Sequence, residues 1–189
     1  MINYNAIERF NNHYAHFDLV ANQHNTAFNN NVVRYLELKN LLHNVDVSQD
    51  EYFQSRFTFF YGLHHIPSAR RSMYYQEMEA LKNSTDPINV RALTERLEAS
   101  LGKKHFSFCS KMANIINDNA YPIFDSHIAA VFHRPGLGYG IDYKDNMYQD
   151  VIDTYNSLRD SPTIATFRNM YNAGNMGYMK VLDTLFWVL

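Results

Sequence analysis

The sequence predicts an all-α protein of about nine to ten helices, on three observations. Apolar residues recur at intervals of three and four along most of the chain, which is the period of a helix with one buried face. No segment alternates apolar and polar residues as a half-buried strand does. Capping residues, prolines and glycines divide the chain into segments of helical length.

The first three helices are predicted in the N-terminal third of the chain. Helical spacing of apolar residues places one helix over 4–20 and a second over about 26–42. Residues Ser48 to Glu51 have the spacing of a capping box and predict the start of a third helix, which ends near Gly62.

The third helix is rich in aromatic residues, with six among positions 52–61. Three of them share one helical face and are predicted to be core residues: Phe53, Phe57 and Phe60. The other three lie off that face, where exposed rings could stack on nucleobases: Tyr52, Phe59 and Tyr61.

Further helices are predicted in the remainder of the chain. One covers 68–82, and Thr85-Asp86-Pro87 predicts the start of the next, which ends at Gly102. A glycine-rich loop over 133–140 has neither dinucleotide-binding nor Walker spacing. Three helices follow that loop, at 142–158, 162–171 and 178–189.

The helix over 106–116 carries a lysine on its polar side. Its apolar residues, which include the single cysteine Cys109, recur at helical spacing and predict a buried face. Ser107, Lys111 and Asn114 share the opposite face, so Lys111 is predicted to point out of the core.

An aspartate follows that helix at a position where it can return to the lysine. Asp125 precedes the apolar segment 126–132 and is predicted to cap a helix there. Residues 111–117 rise about 9 Å in a helix, and the connection 118–124 spans up to about 23 Å when extended. The chain can therefore place Asp125 beside Lys111.

A lysine and an aspartate in contact can support covalent chemistry. A neutral lysine amine can attack a sugar carbon and form a Schiff base, while a carboxylate accepts the proton or stabilises developing positive charge. The alternative is an ordinary polar helix face followed by an ordinary Asp N-cap. Spacing alone does not choose between the two.

The two segments resemble a known pair of motifs. Lys111-Met-Ala-Asn-Ile-Ile followed by Phe-Asp125-Ser-His-Ile is similar to the Lys-Thr-Ala-Asn-Val-Val and Val-Asp-Thr-His-Val motifs of helix-hairpin-helix DNA glycosylases, the superfamily of endonuclease III and 8-oxoguanine DNA glycosylase. The closing segment Leu182-Asp-Thr-Leu-Phe-Trp187 resembles the C-terminal helix of small bacterial proteins with that fold. Where this family has Leu-Pro-Gly-Val-Gly before the lysine, the chain keeps one glycine, Gly102.

The resemblance implies a fold, a reaction and a partner. The fold would be a glycosylase-like arrangement of helices around a central cleft, with a helix-hairpin-helix unit at about 87–117. Lys111 would be the Schiff-base nucleophile and Asp125 the essential carboxylate. The partner would be double-stranded DNA with a damaged or modified base, contacted through Lys103, Lys104, His105, Ser107 and His127. Trp187 is a candidate for the base pocket, with packing of the last helix as the alternative.

Composition sets limits on the class of protein. With 189 residues and 46% hydrophobic content, the chain can form one compact domain over 1–189, or two lobes that share a cleft. A net charge of −2 gives no overall attraction to nucleic acid, so DNA binding would need a local basic surface. No membrane span or signal peptide is predicted, which favours a cytoplasmic protein, and no histidine pattern predicts a metal or other cofactor.

Two functions of different classes follow. The first is a DNA glycosylase with abasic-site lyase activity, which acts in base excision. The second is a catalytically silent DNA-binding or partner-binding module of the same fold, for example a subunit of a phage-defence system.

Overall fold

The computed structural model describes residues 1–64, 66–102, 104–132 and 140–189. Within these residues there are ten α-helices, one short 3₁₀ helix and no β-strand, so the predicted all-α class is confirmed. The helices are α1 Tyr4–His13, α2 Phe17–Asn44, α3 Glu51–Phe60, α4 Ser68–Lys82, α5 Val90–Leu101, α6 Phe106–Ile116, α7 Ser126–Val131, α8 Ile141–Ser157, α9 Pro162–Met170 and α10 Tyr178–Phe186, with the 3₁₀ helix at Tyr14–His16.

The N-terminal helices break at a different place from the predicted one. The 3₁₀ turn separates α1 from α2, and α2 runs without interruption through the asparagine-rich stretch 22–31. Val20, Phe28 and Val32 are all buried along it. Burial of this apolar face outweighs the low helix propensity of asparagine.

Two predicted helix starts are wrong by a few residues. Asp50, not Ser48, caps α3, because its side chain accepts a hydrogen bond from the Phe53 N–H at 2.6 Å. Helix α5 begins at Val90 rather than near Asp86, since Asn89 provides the side-chain cap. In both cases the residue that caps the helix, Asp50 or Asn89, lies closer to the apolar segment than the predicted cap, Ser48 or Asp86.

Buried apolar residues from every helix form the core, and α6 lies within it. It packs against α2, α4 and α5. Gly102 ends α5 in the left-handed conformation with φ 68°, as predicted for a helix stop, and the chain enters α6 shortly afterwards.

The connection between α6 and α7 is held by a buried carboxylate. Asp118 accepts hydrogen bonds from the Tyr35 hydroxyl at 3.0 Å, the Lys39 Nζ at 2.7 Å and the Gly177 N–H at 2.8 Å. These donors come from α2 and from the residue before α10. One side chain thus fixes three segments relative to each other.

Glycine is required where that connection meets α10. A Cβ at position 177 would overlap the carbonyl group of Asp118. The close approach sets where α10 begins and therefore where its side chains lie.

Across the described ranges, none of the helices has the length and apolar character needed to cross a bilayer.

Candidate active site

A pocket opens between the C-terminal half of α3 and helices α2, α6, α7 and α10. Its volume is about 370 Å³, which is within the range of small-molecule sites. Aromatic rings from α2, from the end of α3 and from Trp187 form much of its wall. The polar and charged side chains that line it are Asn31, Lys111, Asp125, Lys180, Asp183 and Thr184.

Lys111 faces this pocket from the second turn of α6. The prediction that it points out of the core is wrong, because only 9% of the residue is exposed. Asn114, predicted on the same polar face, is fully buried. Helix α6 is covered on several sides by α2, α4 and α5, so that its polar side is internal as well.

The Lys111 amine has few contacts. Its Nζ donates a hydrogen bond to the Tyr61 carbonyl oxygen at 3.3 Å and lies 5.9 Å from the centre of the Tyr61 ring. The Asp125 Oδ2 atom is 4.0 Å away. Burial lowers the pKa of Lys111, and the Asp125 carboxylate partly opposes that shift. The burial of Lys111 therefore shifts its protonation equilibrium towards the neutral amine, which is the nucleophilic form.

Asp125 caps α7 and lies near Lys111, as the sequence predicted for its position. One carboxylate oxygen, Oδ1, accepts hydrogen bonds from the N–H groups of His127 at 3.0 Å and Ile128 at 3.1 Å, and so caps α7. The other, Oδ2, is the atom nearest to Lys111. The helix cap thus orients the carboxylate towards the amine.

A second lysine lines the pocket, and the sequence analysis did not identify it. Lys180 on α10 is 4% exposed, and its Nζ lies 5.3 Å from the ring centres of Tyr35 and Phe60. Burial lowers the pKa of Lys180, with Asp183 opposing this shift and Lys111 reinforcing it. The signal that could have revealed it is a lysine and an aspartate inside the apolar segment 178–189.

Asp183 lies one turn along α10 from Lys180 and binds the chain before α7. Its Oδ2 accepts hydrogen bonds from the Ile123 N–H at 2.9 Å and the Asn114 amide at 3.3 Å. Burial raises the pKa of Asp183 well above that of an ordinary aspartate, while the Lys180 ammonium acts in the opposite direction. The side chain positions the segment that leads to Asp125.

Exposed aromatic residues lie at the edge of the pocket. Trp187 is 61% exposed and its ring centre is 5.5 Å from that of His127, so these two predicted residues are adjacent. Phe59, near the end of α3, is also exposed and lines the pocket.

Of the predicted DNA-binding residues of the α5–α6 turn, the three that the structure describes, Lys104, His105 and Ser107, do not line the pocket. Lys104 is exposed and its Nζ lies 3.6 Å from the Glu98 carboxylate. His105 packs its ring edge-on against Tyr74 at 5.7 Å, and Ser107 is half-buried in the first turn of α6. Lys103 and the glycine-rich residues 133–139 lie outside the described residues.

Cys109 is fully buried, as predicted for a core residue, and burial raises the pKa of its thiol to about 11. A thiol in this state is a poor nucleophile. In the part of the chain that the structure describes, histidines, cysteines and carboxylates form no group that could hold a metal ion.

Comparisons with protein-family models, with curated proteins and with solved structures found no match to this chain. The geometry of the pocket is therefore the basis for any statement about function.

Proposed function

We propose that the chain is a DNA glycosylase of the helix-hairpin-helix type, with abasic-site lyase activity on double-stranded DNA that contains a damaged or modified base. The observation that carries the proposal is the position of Lys111 Nζ, 4.0 Å from Asp125 Oδ2 at the wall of a cavity of about 370 Å³. The motif resemblance of the same two residues supports it.

The reaction needs the target nucleotide outside the duplex, because C1′ of the sugar is inaccessible within the base stack. Five aromatic residues line the pocket and suit the faces of a nucleobase: Phe28, Phe59, Phe60, Tyr61 and Trp187. Exposed rings at the edge, Phe59 and Trp187, are available to contact DNA bases.

The covalent step assigns one role to each residue. The Lys111 amine forms a bond to C1′ while the glycosidic bond breaks, and the base leaves with the bonding electron pair and takes up a proton. Asp125 stabilises the positive charge that develops on the sugar and accepts a proton from the attached amine. Ring opening gives a Schiff base, from which elimination of the 3′ phosphate cleaves the strand.

The test is borohydride trapping of the protein on duplex DNA with an abasic site. We expect a covalent complex with the wild type, and a loss of roughly 100-fold or more in trapping rate for Lys111→Ala, since the nucleophile is removed. Asp125→Asn keeps a capping oxygen but loses the charge, so trapping should also fall. Lys144→Ala, on α8 and away from the pocket, is the matched control.

The pH dependence sharpens this test. Only the neutral amine attacks, so trapping rises with pH and levels off above the pKa of the nucleophile. Because the pKa of Lys111 is lowered by burial, this plateau should be reached at lower pH than for an ordinary lysine. Equal trapping by wild type and Lys111→Ala would show that another amine reacts, and Lys180→Ala would then identify whether it is the second pocket lysine.

A panel of duplexes with different modified bases tests the glycosylase step separately. Release of one base by the wild type, and not by Lys111→Ala or Asp125→Asn, is the expected result. No release from any duplex, together with no trapping, would contradict the proposal.

The second candidate is the catalytically silent binding module, and one observation favours it. Several exposed cations are paired with carboxylates: Arg56 with Glu37, Arg91 with Asp142, Arg96 with Glu77 and Lys104 with Glu98. Paired cations offer less to DNA phosphates. Binding of a partner or of DNA without base release or trapping would establish this candidate.

A further inference from the structure

Lys180 is a buried cation with no polar partner among the residues that the structure describes. Its Nζ forms no hydrogen bond or ion pair with any of the described residues, and its contacts are the faces of Tyr35 and Phe60. An ammonium group carries three N–H donors and pays a large desolvation cost when buried. The position of this side chain in the pocket wall leaves those donors directed at whatever the pocket contains.

The nearest candidates for an internal partner are held by other groups and do not reach the amine. Asp183 is held through Oδ2 by Ile123 and Asn114, and its Oδ1 accepts no hydrogen bond from any described residue, Lys180 included. The Tyr35 hydroxyl donates to Asp118. Asp125 is directed to Lys111 and to the first turn of α7. The surroundings thus supply aromatic faces and distant charges but no acceptor at hydrogen-bond distance.

We propose that Lys180 is a specificity-determining residue whose amine binds an acceptor atom, a carbonyl oxygen or an unprotonated ring nitrogen, on the edge of a nucleobase seated in the pocket. This inference rests on the proposed function, because it takes the occupant to be an everted base. It adds a recognition residue on α10 that lies apart from the Lys111–Asp125 pair.

The chemistry of the occupant follows from the donors around it. A lysine amine pairs with the carbonyl oxygen and ring nitrogen of a purine edge, as in base recognition within DNA grooves. The Lys180 ammonium in the pocket wall disfavours a ring that carries a positive charge. The pocket should therefore prefer a neutral base with an acceptor edge over a cationic, ring-alkylated base.

The neighbouring polar groups fit the same occupant. Asn31 and Thr184 line the pocket beside Lys180, with the Thr184 hydroxyl 3.1 Å from Asn31 Oδ1 and 3.0 Å from the Lys180 carbonyl oxygen. The amide group of Asn31 offers a further contact for a base edge. The aromatic face of Phe60 lies next to the Lys180 amine.

Trp187 gives a direct readout of pocket occupancy. It is the single tryptophan of the chain and lines the pocket, so its fluorescence can be followed during titration with nucleosides. Inosine presents a carbonyl oxygen and an unprotonated ring nitrogen, whereas 1-methyladenosine is cationic at neutral pH. We expect the wild type to bind inosine more tightly than 1-methyladenosine by on the order of tenfold or more.

The decisive variant is Lys180→Met, which keeps the length of the side chain and removes its donors. It should weaken inosine binding by on the order of tenfold and remove most of the preference over 1-methyladenosine. Lys180→Gln, which keeps a neutral donor, should recover part of the inosine affinity. Lys144→Met is the control on α8 and should bind as the wild type does. Replacement of a buried charge by an apolar side chain is compatible with folding, and thermal unfolding of each variant checks this.

Failure of this inference is distinguishable from failure of the proposed function. Inosine affinity and preference unchanged in Lys180→Met would overturn the inference, as would no nucleoside binding by the wild type. Borohydride trapping uses an abasic site, where no base occupies the pocket, and so tests Lys111 independently. Trapping that persists while Lys180→Met has no effect on nucleoside binding would retain the lyase and reject the recognition role.

Discussion

The pocket contains two lysine–aspartate pairs that are built in opposite ways. Lys111 and Asp125 belong to different segments, yet their charged atoms lie 4.0 Å apart. Lys180 and Asp183 are one turn apart on α10, a spacing that commonly allows an ion pair, but among the described residues they do not form one. The Asp183 carboxylate is held through Oδ2 by the Ile123 N–H and the Asn114 amide, and its Oδ1 accepts no hydrogen bond from Lys180 or any other described residue.

Closeness along a helix therefore does not decide which groups interact in a core. Asp125 is fixed by the N–H groups that begin α7, and this leaves its second oxygen directed at Lys111. Asp183 is fixed by donors from the α6–α7 connection and from α6. Within the described part of the chain, Lys180 has no polar contact. The Lys111–Asp125 pair suits proton transfer between the two side chains. In the second pair, Asp183 positions the chain before α7, while the Lys180 amine remains available to bind an occupant of the pocket.

Displacement of α10 should have the largest effect, because this helix carries both Lys180 and Asp183. In Gly177→Ala the new Cβ overlaps the Asp118 carbonyl group, so either the α6–α7 connection or the start of α10 must move. We expect a loss of about 3 kcal/mol in the free energy of unfolding, at the upper end of overpacking effects. Urea denaturation measures it.

Gly174→Ala provides the matched control, because a Cβ there meets no atom within 4 Å. Its free energy of unfolding should stay within about 1 kcal/mol of the wild type. A similar loss in both variants would show that the close approach at Gly177 is not the cause.

Two variants of Asp183 distinguish the effect of its hydrogen bonds on stability from the effect of its charge. In Asp183→Ala the buried Ile123 N–H and Asn114 amide lose their acceptor, which should cost about 2 kcal/mol of unfolding free energy. Asp183→Asn keeps an acceptor oxygen and removes the charge, so it should cost clearly less. Equal losses in the two variants would contradict the hydrogen-bonding role.

The same residue gives a pH dependence with a defined sign. Because the pKa of Asp183 is raised on folding, the folded state binds its proton more tightly than the unfolded chain does. Its contribution to stability is complete below the ordinary aspartate pKa and decreases as pH rises towards the folded value. Asp183→Asn should remove this decrease from the wild-type profile of unfolding free energy against pH.

The two pairs also differ in how far the sequence predicts them. Lys111 and Asp125 follow from local rules, since helical spacing, a break after Ile116 and a capping aspartate are all visible in the residues. A connection long enough to return permits their proximity. The burial of Lys111 does not follow, because it depends on α2, α4 and α5 covering α6 from distant parts of the chain.

The surroundings of Lys180 and Asp183 are formed by residues that are distant in the sequence. Their partners are rings of α2 and α3 and donors from α6 and the α6–α7 connection. Helical periodicity correctly places both residues on a C-terminal helix, but it carries no information on which helix faces them. The helix content of the fold was therefore predictable, and the second half of the site was not.

The smallest expected change in stability is at Asp125, where two variants distinguish the helix cap from a role in the reaction. Asp125→Ala removes the cap of α7 and should lower the free energy of unfolding by about 1 kcal/mol. Asp125→Asn retains a capping oxygen and should stay within a few tenths of the wild type. If Asp125→Asn is as stable as the wild type but loses borohydride trapping, the carboxylate acts through its charge on the reaction at Lys111. If both variants trap like the wild type, the 4.0 Å contact has no chemical role and Asp125 is a helix cap alone.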